Sequence, residues 1–238
     1  MARPRSDAES GPLTLTAIAT VRSCFGGKFG APRQPGLCPS AWGALVFQPE
    51  FRSLEAVRGL DGFSHLWLIF GFHQTRAQGW TPTVRPPRLG GNRRLGVFAT
   101  RSTFRPNHLG LSLVRLEGVD TAAPEAPVLL LGGLDLIDGT PVYDIKPYLP
   151  YAESPAGATG GFAAEEPPRL EVRVAPAAAA AMDTLPARTR AVIFEALAQD
   201  PRPATRQRDS ERVFGARLCD RDVRFTVRDD VCSIVAIA

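Results

Sequence analysis

The chain of 238 residues is long enough for one medium domain, or a larger domain with a small companion, and its 44% hydrophobic content suffices for a packed core. No stretch approaches the ~20 consecutive apolar residues of a membrane-spanning helix, and Met1–Leu15 carries Arg3 and Arg5 with no apolar run behind them, so neither a spanning helix nor a secretory leader is expected and the cytoplasm is the default. The net charge of +4 rests on arginine, because Lys28 and Lys146 are the only lysines; Cys24, Cys38, Cys219 and Cys232 form no C-x-x-C pair and His65, His73 and His108 lie far apart, so no metal site is expected.

Residues 1–12 read as a disordered tail. Short runs rich in Val, Leu, Ile and Phe follow, punctuated by Gly and Pro: Leu13–Val21, Ala44–Phe47, His65–Phe72, Gly96–Thr100, Leu111–Leu116, Val128–Leu134 and Val142–Ile145. Helical patterns between them are weak, which disfavours a doubly wound parallel sheet. A closed or nearly closed barrel hides its sheet edges and suits this many short strands. Residues 13–151 are therefore expected to form a mainly β barrel domain, and the small, Pro-bounded residues of 152–168 a linker. Residues 169–238 read as a small α+β domain. It opens with a strand over Leu170–Val174 and continues with an amphipathic helix over Thr184–Gln199, whose Leu185, Val192, Ile193, Ala196 and Leu197 share a face. Pro186 fits the first turn of that helix. Strands over Val213–Leu218, Val223–Val227 and Val231–Ile237 complete it.

The usual nucleotide and hydrolase signatures are missing: there is no G-x-G-x-x-G after a strand, no phosphate loop, no G-x-S-x-G elbow and no H-E-x-x-H. Four polar segments carry the chemistry instead. In Lys28–Gly36, Pro32 and Pro35 stiffen a loop presenting Arg33 and Gln34, a guanidinium and an amide suited to a carboxylate or a base edge. Gly62–Gln74 is an apolar run with His73 and Gln74 at its end. Val84–Asn107 holds Arg85, Arg88, Arg93, Arg94, Arg101 and Arg105 without one acidic residue. Such a run is a solvated loop or an anion-binding surface, and its Pro, Gly, Phe98 and Phe104 favour the second, with nearby Trp80 a further base-stacking surface. In Leu134–Tyr151, Asp135, Asp138 and Asp144 sit in an apolar setting, where a charge must pair with an arginine or meet a ligand.

Five stretches, KFGAPRQPGL, AVRGLDGFSHLWLIFGFHQ, VRPPRLGGNRRLGVFATRSTFRPN, LGLSLV and LDLIDGTPVYDIKPYLPYAES, together resemble the TsaA-like family of tRNA methyltransferases. The resemblance covers Leu15–Ser154 and resumes at Ala198–Ala204. It implies a non-Rossmann β-barrel domain that binds S-adenosylmethionine, a small C-terminal domain and a homodimer. The implied reaction is N6-methylation of N6-threonylcarbamoyladenosine at position 37 of tRNA, with the anticodon stem-loop as partner and no metal. By similarity the cofactor is held by Pro32, Arg33, Gln34, His73, Gln74, Arg101, Leu111, Asp135, Leu136, Ile137 and Asp138. Arg85, Arg88, Arg93, Arg94, Arg105 and Arg202, the last within the D-P-R-P segment, are expected to face the tRNA. Thr205 stands where the family often has Tyr after D-P-R-P-A, Asn107–Gly110 reads N-H-L-G in place of N-P-I-G, and Ser23-Cys24 replaces a Ser-Pro pair.

The acceptor nitrogen of threonylcarbamoyladenosine is acylated, so its N–H must be removed during transfer. Asp138 is the first candidate for the base and His73 the second. Two alternatives remain at this level: a non-catalytic tRNA-binding barrel, and a methyltransferase acting on a small molecule or a protein.

Overall fold

A computed structural model of the chain describes residues 12–203, 209–210 and 212–238; the tail expected over 1–12, apart from its last residue, and Thr205 lie outside the described residues. In chain order the strands are β1 (Ala19–Ser23), β2 (Trp42–Phe47), β3 (His65–Gly71), β4 (Thr83–Val84), β5 (Leu95–Gly96), β6 (Leu109–Asp120), β7 (Val128–Gly132) and β8 (Pro141–Pro147). After a short helix α1 (Pro150–Glu153) come β9 (Glu171–Val174), α2 (Pro176–Asp183), α3 (Ala187–Ala198), β10 (Phe214–Leu218), β11 (Arg221–Arg228) and β12 (Val231–Ile237).

Six strands close a barrel in the order β1-β2-β7-β6-β3-β8, every neighbouring pair antiparallel. Alternation explains its inside: in β3, Leu66, Leu68 and Phe70 are buried while His65, Trp67 and Ile69 are half-exposed. β6 is long enough to pair with β3 through Leu109–Arg115 and then with β7 from Arg115 onward, and a bulge between Leu116 and Gly118 marks its bend. Closure between β1 and β8 rests on Ala19 and Thr20 opposite Val142 and Pro141. Two backbone bonds extend it, from Ile18 N to Val142 O (2.8 Å) and from Val21 N to Thr140 O (2.9 Å).

The C-terminal sheet runs β10-β11-β12-β9, with β9 parallel to β12, while α2 packs on β12 and α3 on β9. Its core is continuous with that of the barrel. Phe25 forms an isolated bridge with Leu218, and Phe29 stacks on Phe214 and Phe225 with centroids 6.5 and 6.3 Å away.

Several elements differ from expectation. The first strand starts at Ala19, leaving Leu13 and Leu15 exposed. Of Gly96–Thr100 only Gly96 is in a strand, because the Thr100 amide and hydroxyl both bond the Val97 carbonyl (3.1 and 2.8 Å) and close a turn there. The helix expected over Thr184–Gln199 begins later, at Ala187, with Pro186 extended at the N-cap (φ −55°, ψ 146°). Before it lies α2, which was not expected: its alanines have high helix propensity but too little contrast to show a hydrophobic stripe.

Candidate functional site

A cleft of about 1440 Å³ opens at one rim of the barrel. The C-terminal end of β3, the start of β6 and the turn after β7 meet there, facing the loop after β1 and the arginine-rich hairpin of β4 and β5. Two glycines allow the close approach. A Cβ on Gly110 would stand 2.2 Å from the Phe70 ring, its partner across β3 and β6. Gly30 has φ +96°, and a Cβ there would press Leu218 of β10 at 3.0 Å.

The structure brings most of the expected cofactor residues to this cleft. Buried Pro32 and exposed Arg33 line it from the stiff loop, and His73 and Gln74 line it just past β3. Leu111, 52% exposed, joins Ile69 across the β3–β6 pair. Arg101 also lines the wall, and its Nη1 donates to Gln34 Oε1 at 2.6 Å, so Gln34 fixes a guanidinium that faces the cleft without facing it itself.

The turn after β7 separates its two aspartates. Asp135, Leu136 and Ile137 line the cleft, whereas Asp138 does not. The Thr140 amide and hydroxyl both bond the Ile137 carbonyl (3.3 and 2.6 Å), and the resulting turn points Asp138 outward. Its Oδ1 accepts the Ser23 amide at 2.9 Å, and its own amide donates to the Phe25 carbonyl at 2.8 Å. Asp138 therefore braces β1 and, contrary to expectation, does not line the cleft.

Asp135 is the acidic residue on the cleft wall. Burial pushes its carboxyl up to about 6, against the opposing pull of a 2.5 Å hydrogen bond from Ser112 Oγ and of the Arg101 charge. Thr75, 4% exposed, also lines the cleft, and its Oγ1 has no hydrogen-bond partner among the described residues. Ser112 and Thr75 were not singled out from sequence. Ser112 had a legible signal, since it occupies the inward parity of the otherwise apolar stretch LGLSLV. Phe162, from the segment expected to be a linker, lines the cleft with no such signal.

The arginines divide by partner. Arg85 and Arg94 are exposed on the cleft wall, and Arg94 Nη1 donates to Thr83 Oγ1 at 3.2 Å. Arg93 is exposed away from it, and Arg88 donates to the Glu165 carbonyl. Arg105 is only half-exposed: it bonds the Thr100 carbonyl at 2.8 Å and lies 5.9 Å over the Phe98 ring, stapling its own loop. Arg202, expected to face the tRNA, is instead buried at 6% exposure in a two-bond pair with Asp200 (2.7 and 2.9 Å), a geometry that holds the D-P-R-P turn.

Chemically, the wall joins an apolar surface (Pro32, Ile69, Phe72, Leu111, Leu136, Ile137) to the guanidinium groups of Arg33, Arg85, Arg94, Arg101 and Arg105, one raised carboxyl and a buried hydroxyl with no partner among the described residues. That set fits an organic ligand with an apolar ring, a carboxylate and polar hydroxyls. Among the described residues no group of three or more His, Cys, Asp or Glu side chains is placed to hold a metal ion, and no helix is long and apolar enough to cross a membrane.

The family model of the tRNA-methyltransferase O N-terminal domain matches residues 20–154, and that of the TrmO C-terminal domain matches residues 167–238. The tRNA (adenine(37)-N6)-methyltransferase of Escherichia coli (strain K12) is 48% identical over 226 residues, covering 92% of this chain and 95% of that protein. The mouse protein of the same name is 43% identical over 149 residues, 62% of this chain and 33% of its own length. A crystal structure of TrmO from Pseudomonas aeruginosa superposes with a TM-score of 0.79 at 40% identity, covering 97% of this chain and all 100% of that one. The barrel with its rim cleft and the sheet packed behind it thus match the same family in both halves of the sequence, and the chain belongs to the tRNA-methyltransferase O family.

Proposed function

We propose that the protein transfers a methyl group from S-adenosylmethionine to the N6 nitrogen of N6-threonylcarbamoyladenosine at position 37 of tRNA. The observation that carries this reading is the rim cleft, where a raised carboxyl and the guanidinium groups of Arg33 and Arg101 share a wall with an apolar surface, and Arg85 and Arg94 stand exposed at the hairpin side. Bound S-adenosylmethionine supplies an electrophilic methyl on a sulfonium. Arg33 and Arg101 are the groups to grip its carboxylate, Thr75 and Gln74 to meet its hydroxyls, and Leu111, Leu136 and Ile137 to cover its ring.

The protein's remaining task is to hold the acceptor nitrogen in line and take its proton; such positioning can supply ~7–11 kcal/mol. Asp135 is the base in this reading, replacing Asp138. A carboxyl held at about 6 is ionised at neutral pH yet basic enough to accept a proton from an acylated amine in the transition state. His73, on the same wall, is the second candidate. Arg85, Arg93 and Arg94 are exposed and serve the phosphates of the anticodon stem-loop, whose unpaired bases can be splayed into the cleft. Trp80 and Phe98, 53% and 74% exposed beside these arginines, offer stacking surface to RNA or to the second copy in a homodimer.

The test is transfer of labelled methyl to threonylcarbamoylated and unmodified tRNA. Label on adenosine 37 of the modified tRNA alone is expected. Transfer to neither, with cofactor binding intact by calorimetry, points to another methyl acceptor; loss of both leaves a tRNA-binding barrel.

A further inference from the structure

The loop that carries Pro32, Arg33 and Gln34 belongs to the barrel, yet its exit is gripped by the C-terminal half of the chain. Glu195, in the C-terminal half of α3, accepts two hydrogen bonds from Ser40: the backbone amide to Oε2 at 2.8 Å and the hydroxyl to Oε1 at 2.7 Å. One turn further, Gln199 Nε2 donates to the Leu37 carbonyl at 3.0 Å. One face of α3 thus spans Leu37 to Ser40, directly after the loop, while Arg188 near its start donates from Nε to the Ser40 carbonyl at 3.0 Å. Both Glu195 and Ser40 are half-buried, and neither lines the cleft.

We propose that Glu195 is a positioning residue for the cofactor, acting through Ser40 on the loop that presents Arg33 and Gln34; this rests on the reading of the cleft as the S-adenosylmethionine site. The mechanical link is short. Gly36, between Gln34 and the clamp, donates its amide to the Gly133 carbonyl at 2.8 Å, which ties the loop to the turn carrying Asp135. At its other end the loop passes Gly30, where an added Cβ would meet Leu218 at 3.0 Å. Gln34 in turn holds Arg101 at 2.6 Å. Gly133 also donates its amide to the Ala41 carbonyl at 2.8 Å, so a shift at Ser40 reaches Gly133 and, through it, Gly36 and the loop with the proposed cofactor contacts. Hydrogen bonds to a charged acceptor are also the stronger kind, and without Glu195 the Ser40 amide loses its partner.

The experiment compares Glu195→Ala, Glu195→Gln and Ser40→Ala with the wild-type enzyme in methyl-transfer kinetics and in calorimetry with S-adenosylmethionine. Glu195→Ala is expected to raise KM and Kd for the cofactor about tenfold or more, with kcat within about twofold and KM for tRNA unchanged. Glu195→Gln, which keeps a carbonyl acceptor, should recover most of the loss, and Ser40→Ala should show an intermediate defect while retaining the backbone bond. Hydrogen exchange of the amides in residues 30–37 should accelerate in Glu195→Ala whether or not cofactor is present. A lowered Tm with unchanged cofactor affinity and unchanged exchange in this loop overturns the proposal and leaves Glu195 as a packing contact. If the wild type itself binds no S-adenosylmethionine, the reading of the cleft and the cofactor role of Glu195 fall together; if it binds and Glu195→Ala binds equally well, only the role of Glu195 falls.

Discussion

Ser112, inside the barrel wall on β6, donates its hydroxyl to Asp135 on the rim at 2.5 Å, so a buried strand position sets the direction of the carboxylate that faces the cleft. The bond stabilises the ionised form while burial opposes it, and burial dominates.

Replacing Asp135 by Asn should therefore separate function from stability. As the base, Asp135 is worth about 10²–10⁴-fold in kcat, and the variant should lose that much while still accepting the Ser112 hydroxyl. The folded-state value of about 6 lies above the ordinary 3.8. The folded chain thus holds this proton more tightly than the unfolded chain, and stability declines as pH rises from about 4 to about 6. Asp135→Asn escapes that decline. Its Tm should exceed the wild-type value most above pH 6, and the gap should close toward pH 4. A variant less stable than wild type at pH 8, or one with normal turnover, contradicts this assignment.

Arg85→Ala and Arg94→Ala should each weaken tRNA binding and flatten the slope of log affinity against log salt by roughly 0.7–0.9, one phosphate contact each. Cofactor affinity should stay unchanged, because the proposed cofactor grip belongs to Arg33 and Arg101. Filter-binding titrations across salt concentrations measure the slope; a slope unaltered in both variants removes them from the RNA interface.

The barrel was legible because its strands alternate or run apolar between Gly and Pro, and the cleft because its polar residues stand at the ends of those runs. Other features were not. Asp135 and Asp138 are equivalent in LDLID, and only the turn closed by Thr140 sends one inward and the other to the Ser23 amide. Arg202 looked like the other arginines, since burial beside Asp200 depends on how the segment after α3 folds back. The polyalanine helix α2 lacked the contrast that a periodicity reading needs.

Arg202→Ala should behave as a core mutation. Breaking a buried ion pair by removing one member costs about 3–5 kcal/mol, which thermal or urea unfolding will register. The salt slope of tRNA binding should not change at a temperature where the variant is folded. A stable Arg202→Ala protein with a flattened slope would return this residue to the RNA interface.

Gly110→Ala tests the packing that shapes the cleft. The added methyl would stand 2.2 Å from the Phe70 ring, and Phe70 meets Phe72 edge-on at 5.0 Å between centroids, so the ring has to turn and carry its neighbour with it. Overpacking of this kind costs about 1–3 kcal/mol. Because Phe70, Phe72 and Gly110 all line the cleft, cofactor affinity should fall along with Tm. Phe70→Leu in the Gly110→Ala background removes the ring edge that collides, so the double variant should be more stable than the sum of the single effects. Additive losses would mean that the strain sits elsewhere, because two residues in direct collision must show coupling in a double-mutant cycle.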